Sequence, residues 1–120
     1  MEEYLDIPGG KRKKIVDGFK FLGLGNFTSL ITSIKFTNWG ETILIYCVYN
    51  LPERLTYRIV FSGCYKINWS MNDSDIANDI EADVIDFQIK EDERGEYAYF
   101  HTDIFEILIY YRSINIEKSW

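Results

Sequence analysis

The chain has 120 residues, of which 47% are apolar and 17% aromatic, and it carries a formal net charge of −6. That length suits one domain, whose folding buries roughly two thirds of the unfolded surface, and a chain this rich in aromatic and β-branched residues is not a disordered one. The opening "MEEYLDIPGGKRKK" has no apolar run behind a basic start, and runs such as "ILIYCVY" fall far short of the ~20 residues of a membrane helix, so neither a secretory leader nor a membrane span is expected.

In chain order, residues 1–26 read as a less regular N-terminal segment and residues 27–120 as a β core of the same single domain. Within the first segment, Asp17-Gly18 between apolar residues is a strong hairpin signal. Ile15, Phe19 and Leu22 also share one face of a helix, which Gly18 would weaken by up to ~1 kcal/mol relative to alanine. Extended structure is the favoured reading. "GLGN" at 23–26 is a glycine-rich turn, because a dinucleotide fingerprint needs six positions between a strand and a helix. "KRKK" at 11–14 reads as a solvated arm, with contact to an anionic partner as the alternative.

The stretch 27–37 alternates, with Leu30, Ile34 and Phe36 on one parity. "NWGE" then turns the chain, using Gly40 for a positive φ. Residues 42–50 are apolar on both parities, as in a strand covered on both faces. After "LPER", Leu55, Tyr57, Ile59 and Phe61 alternate cleanly. Gly63 interrupts, and Tyr65, Ile67 and Trp69 resume as a bent continuation past a glycine bulge.

The acidic stretch "MNDSDIANDIEA" breaks the β pattern, as a loop or as a short helical turn capped by Asn72 or Asp73. In 83–90, Ile85, Phe87 and Ile89 should face in, with Asp86 and Gln88 facing out. "EDERGE" makes a hairpin loop ending at Gly95. "YAYFHT" and "IFEILIYYR" follow, joined at a corner near Thr102-Asp103, and the tail alternates through Ile114 and Ile116. The total is seven to nine antiparallel strands in a sandwich-like or strongly curved sheet, with at most one or two short helical turns. The connections are too short for parallel crossovers.

Few residues could carry chemistry. His101 is the single histidine, which excludes a metal site built on histidines, and Asp103 shares its strand parity. A general base backed by a carboxylate would look like this, but a strand-end histidine partly exposed beside a turn is the favoured reading. Cys47, among apolar neighbours, and Cys64, after Gly63, read as free thiols of a reduced, cytoplasmic compartment, with Cys64 the more exposed. A calcium loop counted from Asp73 would need glycine and glutamate where Asn78 and Val84 stand. No catalytic, metal or cofactor site is assigned.

What remains is a surface. Residues 71–106 hold twelve acids against Lys90 and Arg94, so this stretch carries −10 and the rest of the chain +4. Such a lobe repels nucleic acid and attracts a basic protein. Tyrosines fall on both strand parities, so some face outward, and tyrosine is favoured at interfaces. Asp73, Asp75, Asp79, Glu81, Tyr97 and Tyr99 are therefore the candidate partner-binding residues. A homodimer through strand edges is also open, although Lys35, Lys66 and Lys118 could blunt those edges.

The order of these segments ("LITSIKF", a hairpin, "YRIVFSGCYKI", an acidic break, "DVIDFQI", then "FEILIYYRSINIE") resembles a group of small bacterial toxin-immunity proteins. In that group a strand of the form His-Asp-x-x-Ile-x-Ser-Ile precedes a curved antiparallel sheet. Ile31, Ser33 and Ile34 match the signature, whereas Phe27 and Thr28 stand in the places of its histidine and aspartate. The resemblance implies a non-enzymatic protein that neutralises a toxin by binding it. The alternative is a β-sandwich or barrel holding a small apolar or aromatic ligand in an aromatic-lined interior.

Overall fold

The computed structural model describes residues 2–6, 12–17, 29–49, 54–71 and 81–120. Ten strands follow one another: β1 (Glu2–Asp6), β2 (Arg12–Asp17), β3 (Ser29–Thr37), β4 (Thr42–Tyr49), β5 (Leu55–Ser62), β6 (Lys66–Met71), β7 (Ala82–Asp92), β8 (Gly95–Thr102), β9 (Phe105–Tyr110) and β10 (Ser113–Lys118). Every pairing is antiparallel, and one 3₁₀ turn, Asn38–Gly40, is the sole helical element among the described residues. The expected class holds. The count rises to ten because the N-terminal segment contributes β1 and β2.

The main path of the sheet runs β10-β5-β4-β3-β7-β8-β9-β6, with β2 joined to β7 and β1 to β2, and it does not close. β7 belongs to two layers. Its first residues, Ala82 and Asp83, pair with Ile31 and Leu30 of β3, while the rest of the strand pairs with β8 and β2. The β3-β4-β5-β10 layer thereby packs against the β2-β7-β8-β9-β6 layer across one continuous core. Phe61 of β5 meets Phe100 of β8 edge to face at 6.2 Å, and Phe87 stacks on Phe100 at 4.1 Å. All three rings are essentially without solvent contact. Each is worth about 1.5–3 kcal/mol from burial, and the ring pairs add about 0.5–1.5 kcal/mol.

β5 follows its sequence pattern, burying Tyr57, Ile59 and Phe61. Three other strands depart from theirs. A register shift after Ile31 exchanges the faces of β3, so Ile31 is buried and Leu30 only half-buried, while Ile34 and Phe36 resume the inward parity beyond the shift. A second shift between Val84 and Asp86 turns Ile85 outward, 59% exposed, and places Val84 inside in its stead. β4 lies between β3 and β5 yet has one covered face over its first half: Ile43 and Ile45 are buried, and Leu44 and Tyr46 are half-exposed.

At Gly63 the chain leaves β4 and β10 and crosses to the other layer, where β6 pairs with β9. β6 is therefore not a continuation of β5. A positive φ of 67° at Gly63 allows the turn, and an added Cβ would meet Arg112 Cβ at 2.8 Å. Glu41 holds the corner from below: its carboxylate accepts from the Gly63 N–H at 3.0 Å and its carbonyl from the Cys64 N–H at 3.0 Å.

Residues 12–17 are extended, as expected, and β2 pairs with β1 on one edge and β7 on the other. Gly18 of the Asp17-Gly18 turn, the "GLGN" turn and the capped turn at Asn72 or Asp73 lie outside the described residues.

Candidate functional site

The corner at the end of β8 sits where the sequence placed it. Thr102 is fully buried; its Oγ1 accepts from the N–H groups of Ile104 (3.1 Å) and Phe105 (2.9 Å) and donates to the Phe105 carbonyl (2.9 Å). The hydroxyl supplies the polar partners that this tight turn would otherwise lack. The corner sets the β8–β9 register so that His101 lies opposite Glu106.

His101 therefore does not work with Asp103. Its Nδ1 lies 3.1 Å from Glu106 Oε1, and Tyr99 Oη donates to the same oxygen at 3.2 Å. Asp103 turns instead toward β7, where its Oδ1 accepts from the Asp83 N–H at 2.8 Å. The shared parity suggested a His101–Asp103 pair, but the turn carries Asp103 away before the parity can act.

Around this trio the outward-facing residues form three rows across β6, β9, β8 and β7. Ser70, Glu106, His101 and Asp86 make the first; Asn68, Leu108, Tyr99 and Gln88 the second; Lys66, Tyr110, Tyr97 and Lys90 the third. The third row is aromatic and cationic. Tyr110 lies between Tyr97 (5.0 Å) and Tyr65 (5.8 Å), with Lys66 Nζ 5.8 Å from its ring centre. Lys90 Nζ sits 6.0 Å from the Tyr99 ring. These distances suit cation–π attraction.

Hydrogen bonds fix the tyrosines in place. Tyr110 Oη donates to Asp92 Oδ2 at 2.5 Å, which pushes the phenol up to about 12 and holds the Asp92 carboxyl below its usual range. Tyr65 Oη donates to the Arg94 carbonyl at 2.8 Å, tying β6 to the β7–β8 hairpin. Burial raises the Tyr97 and Tyr99 phenols, assisted by the charges of Asp92 and Glu106 respectively. The result is a preset face of neutral tyrosines with carboxylates at its two ends.

Of the residues singled out in the sequence, Tyr97 and Tyr99 lie on this face, half-buried and half-presented. Glu81 is bound to Arg54 in an ion pair, so its charge is partly answered within the chain. Asp73, Asp75 and Asp79 lie outside the described residues. Glu106, Tyr110 and Tyr65 were not singled out. Glu106 could have been, because a corner at 102–105 places it opposite His101.

Both cysteines are free. Burial pushes the Cys47 thiol up to about 12, and burial together with the charge of Glu41 pushes Cys64 up to about 11. An activated thiol needs a shift in the other direction. Among the described residues no cluster of three or more His, Cys, Asp or Glu is arranged to hold a metal ion, and no helix is long and apolar enough to cross a membrane.

No protein-family model and no curated protein matches the chain. A solved structure does. It is the crystal structure of an uncharacterised protein from Neisseria gonorrhoeae, 16% identical, with a TM-score of 0.59 over 88% of this chain and 96% of that one. The likeness is one of fold. It brings no activity with it.

Proposed function

We propose that the chain is a non-enzymatic module that binds a basic protein, acting as a toxin-neutralising immunity protein of the kind its strand order resembles. The observation that carries this reading is the outer face of β7, β8, β9 and β6. There Tyr97, Tyr99 and Tyr110 are held by hydrogen bonds and packing, and Asp86, Glu106 and Asp92 accompany them. Tyr97 and Tyr99, half-presented and backed by the buried Tyr110, give contact area at low entropic cost, and complementary charge speeds encounter with a basic surface. The −10 balance of residues 71–106 supports the same sign of partner. The compartment is proposed as cytoplasmic, on the two free cysteines.

The alternative, a ligand held in an aromatic-lined interior, has less to support it, because Phe61, Phe87 and Phe100 fill the middle of the core ring against ring. The deciding experiment is to purify the chain with the product of each neighbouring open reading frame. A stable complex that loses affinity when Tyr97 and Tyr99 are changed to alanine, and that suppresses the toxicity of its partner, is the expected result. A well-folded chain that forms no complex with any of these products would count against the reading.

A further inference from the structure

Among the described residues, two of the unpaired strand edges face each other across the end of the core. β3 pairs with β7 only through Leu30 and Ile31, so from Ser33 to Thr37 its second edge carries no strand among the described residues. β6 ends the path and, among the described residues, pairs only with β9. The two strands form the walls of one groove of about 320 Å³, lined by Ile34, Phe36, Trp69, Met71, Ile104 and Phe105 among others. Phe36 and Trp69 are each 49% exposed and Met71 is 47% exposed, although all three have the inward parity of their strands. Trp69 stacks on Phe105 at 4.4 Å and forms a flat apolar wall.

Two features specify what this groove can take. From Ile67 to Met71 the edge of β6 has no charge, proline or glycine, so none of the usual protective devices is present. Its outward N–H and C=O groups need partners once water is displaced. A lipid chain or aromatic molecule would cover the side chains and leave those groups unmet, whereas an extended polypeptide satisfies both.

The second feature is charge next to the groove lining, on residues that do not themselves line it. Ala82 and Ile104 line the groove, and their neighbours Asp83 and Asp103 are locked together: Asp83 N–H donates to Asp103 Oδ1 at 2.8 Å, and Asp103 N–H to the Asp83 carbonyl at 3.1 Å. No ion pair to either carboxylate occurs among the described residues. Burial and the charge of Asp103 together raise the Asp83 carboxyl, as expected of two carboxylates lacking a cation. Lys35 has the opposite parity to Ile34 and Phe36, and Lys66 stands at the far end of β6.

We propose that the groove receives an extended strand of a basic partner protein, added to the edge of β6, with alternate apolar side chains in the groove and a lysine or arginine reaching Asp83 and Asp103. This rests on the reading of the chain as a binder of a basic protein and gives that reading its mode of docking, strand addition.

The test is amide hydrogen exchange on the whole chain with a short synthetic peptide alternating valine and lysine, and with one alternating valine and glutamate. The lysine peptide should slow exchange about tenfold within Ile67–Met71 and Ser33–Thr37 and leave β10, the other end of the path, unchanged. The double variant Phe36→Lys, Met71→Lys should abolish the effect, with exchange elsewhere showing that it is folded. Asp83→Asn with Asp103→Asn should weaken binding about tenfold. No slowing at millimolar peptide, equal slowing by the glutamate peptide, or a fatty acid that protects the same strands at lower concentration would each overturn the proposal. A partner protein that binds wild type and the double lysine variant equally would keep the binding function and overturn the groove. Peptide binding with no protein partner among the neighbouring gene products would do the reverse.

Discussion

Tyr111 illustrates how one side chain can be well buried and still be improved. Its ring packs on Phe61 at 5.1 Å, but its hydroxyl is buried without a hydrogen-bond partner among the described residues. An unmet buried hydroxyl costs about 1–3 kcal/mol, so Tyr111→Phe should raise stability by roughly 1 kcal/mol in a urea titration, and a loss of stability would mean that the hydroxyl has a role. Cys47 and Tyr57 make a second case. Both lie inside the core as neutral groups: burial pushes the thiol up to about 12 and raises the phenol above its ordinary value. In the unfolded chain they ionise near about 8.5 and 10. The unfolded state therefore loses protons that the folded state keeps, and stability is undiminished below pH ~8.5 and falls above it. Each group adds a slope of up to about 1.4 kcal/mol per pH unit above its unfolded pKa. Urea midpoints measured between pH 7 and 11 should decline accordingly, and Tyr57→Phe should remove its own share of the part that begins near pH ~10, the other raised phenols keeping theirs.

Individual strands were legible where one pattern held over their whole length. Leu55 to Phe61 alternates without interruption, and β5 is buried as that alternation requires. The shifts at Thr32 and Ile85 were not legible. Each occurs at an ordinary β-branched residue, without the glycine that would announce it, and each depends on the partner strand. A one-residue slip reverses every later side chain, which is why Ile85 and Leu30 were assigned the wrong face. The pairing of His101 was hidden for a related reason: parity holds along a strand, and Thr102 ends the strand. The outer tyrosine face was partly visible, since Tyr97 and Tyr99 could be named, but Tyr110 and Glu106 reach it only through the register of a neighbouring strand. Gly63 was recognised as a break, though not as a crossing between layers. Its Cβ-free backbone is required twice, by φ and by Arg112. Gly63→Ala should cost about 1–3 kcal/mol. Chemical denaturation checks this, and a cost below about 0.5 kcal/mol would show that the corner can relax.

At the scale of the molecule, the sequence made an antiparallel β domain readable but not its path. Which edge meets which depends on contacts between residues far apart, as when Ser113 pairs with Ser62 or Lys66 with Tyr110. The same separation bears on β7, which among the described residues alone pairs into both layers. β7, β8 and β9 form a meander joined by a tight turn at Glu93-Arg94 and the corner capped by Thr102, so their contacts close short loops. The β3–β7, β6–β9 and β10–β5 pairings close loops of dozens of residues at greater entropic cost. β3, β4 and β5 form a second meander, also with short loops, but only the first contains the strand shared by both layers. The first meander should therefore be the folding nucleus, with β7 the template onto which both layers assemble in turn. Phe100→Leu, in the meander, should chiefly slow refolding, while Ile116→Val, on β10, should chiefly speed unfolding, as stopped-flow chevrons will show. A strand shared by two layers thus sets an order in time: the piece that joins the halves must form before either half is complete.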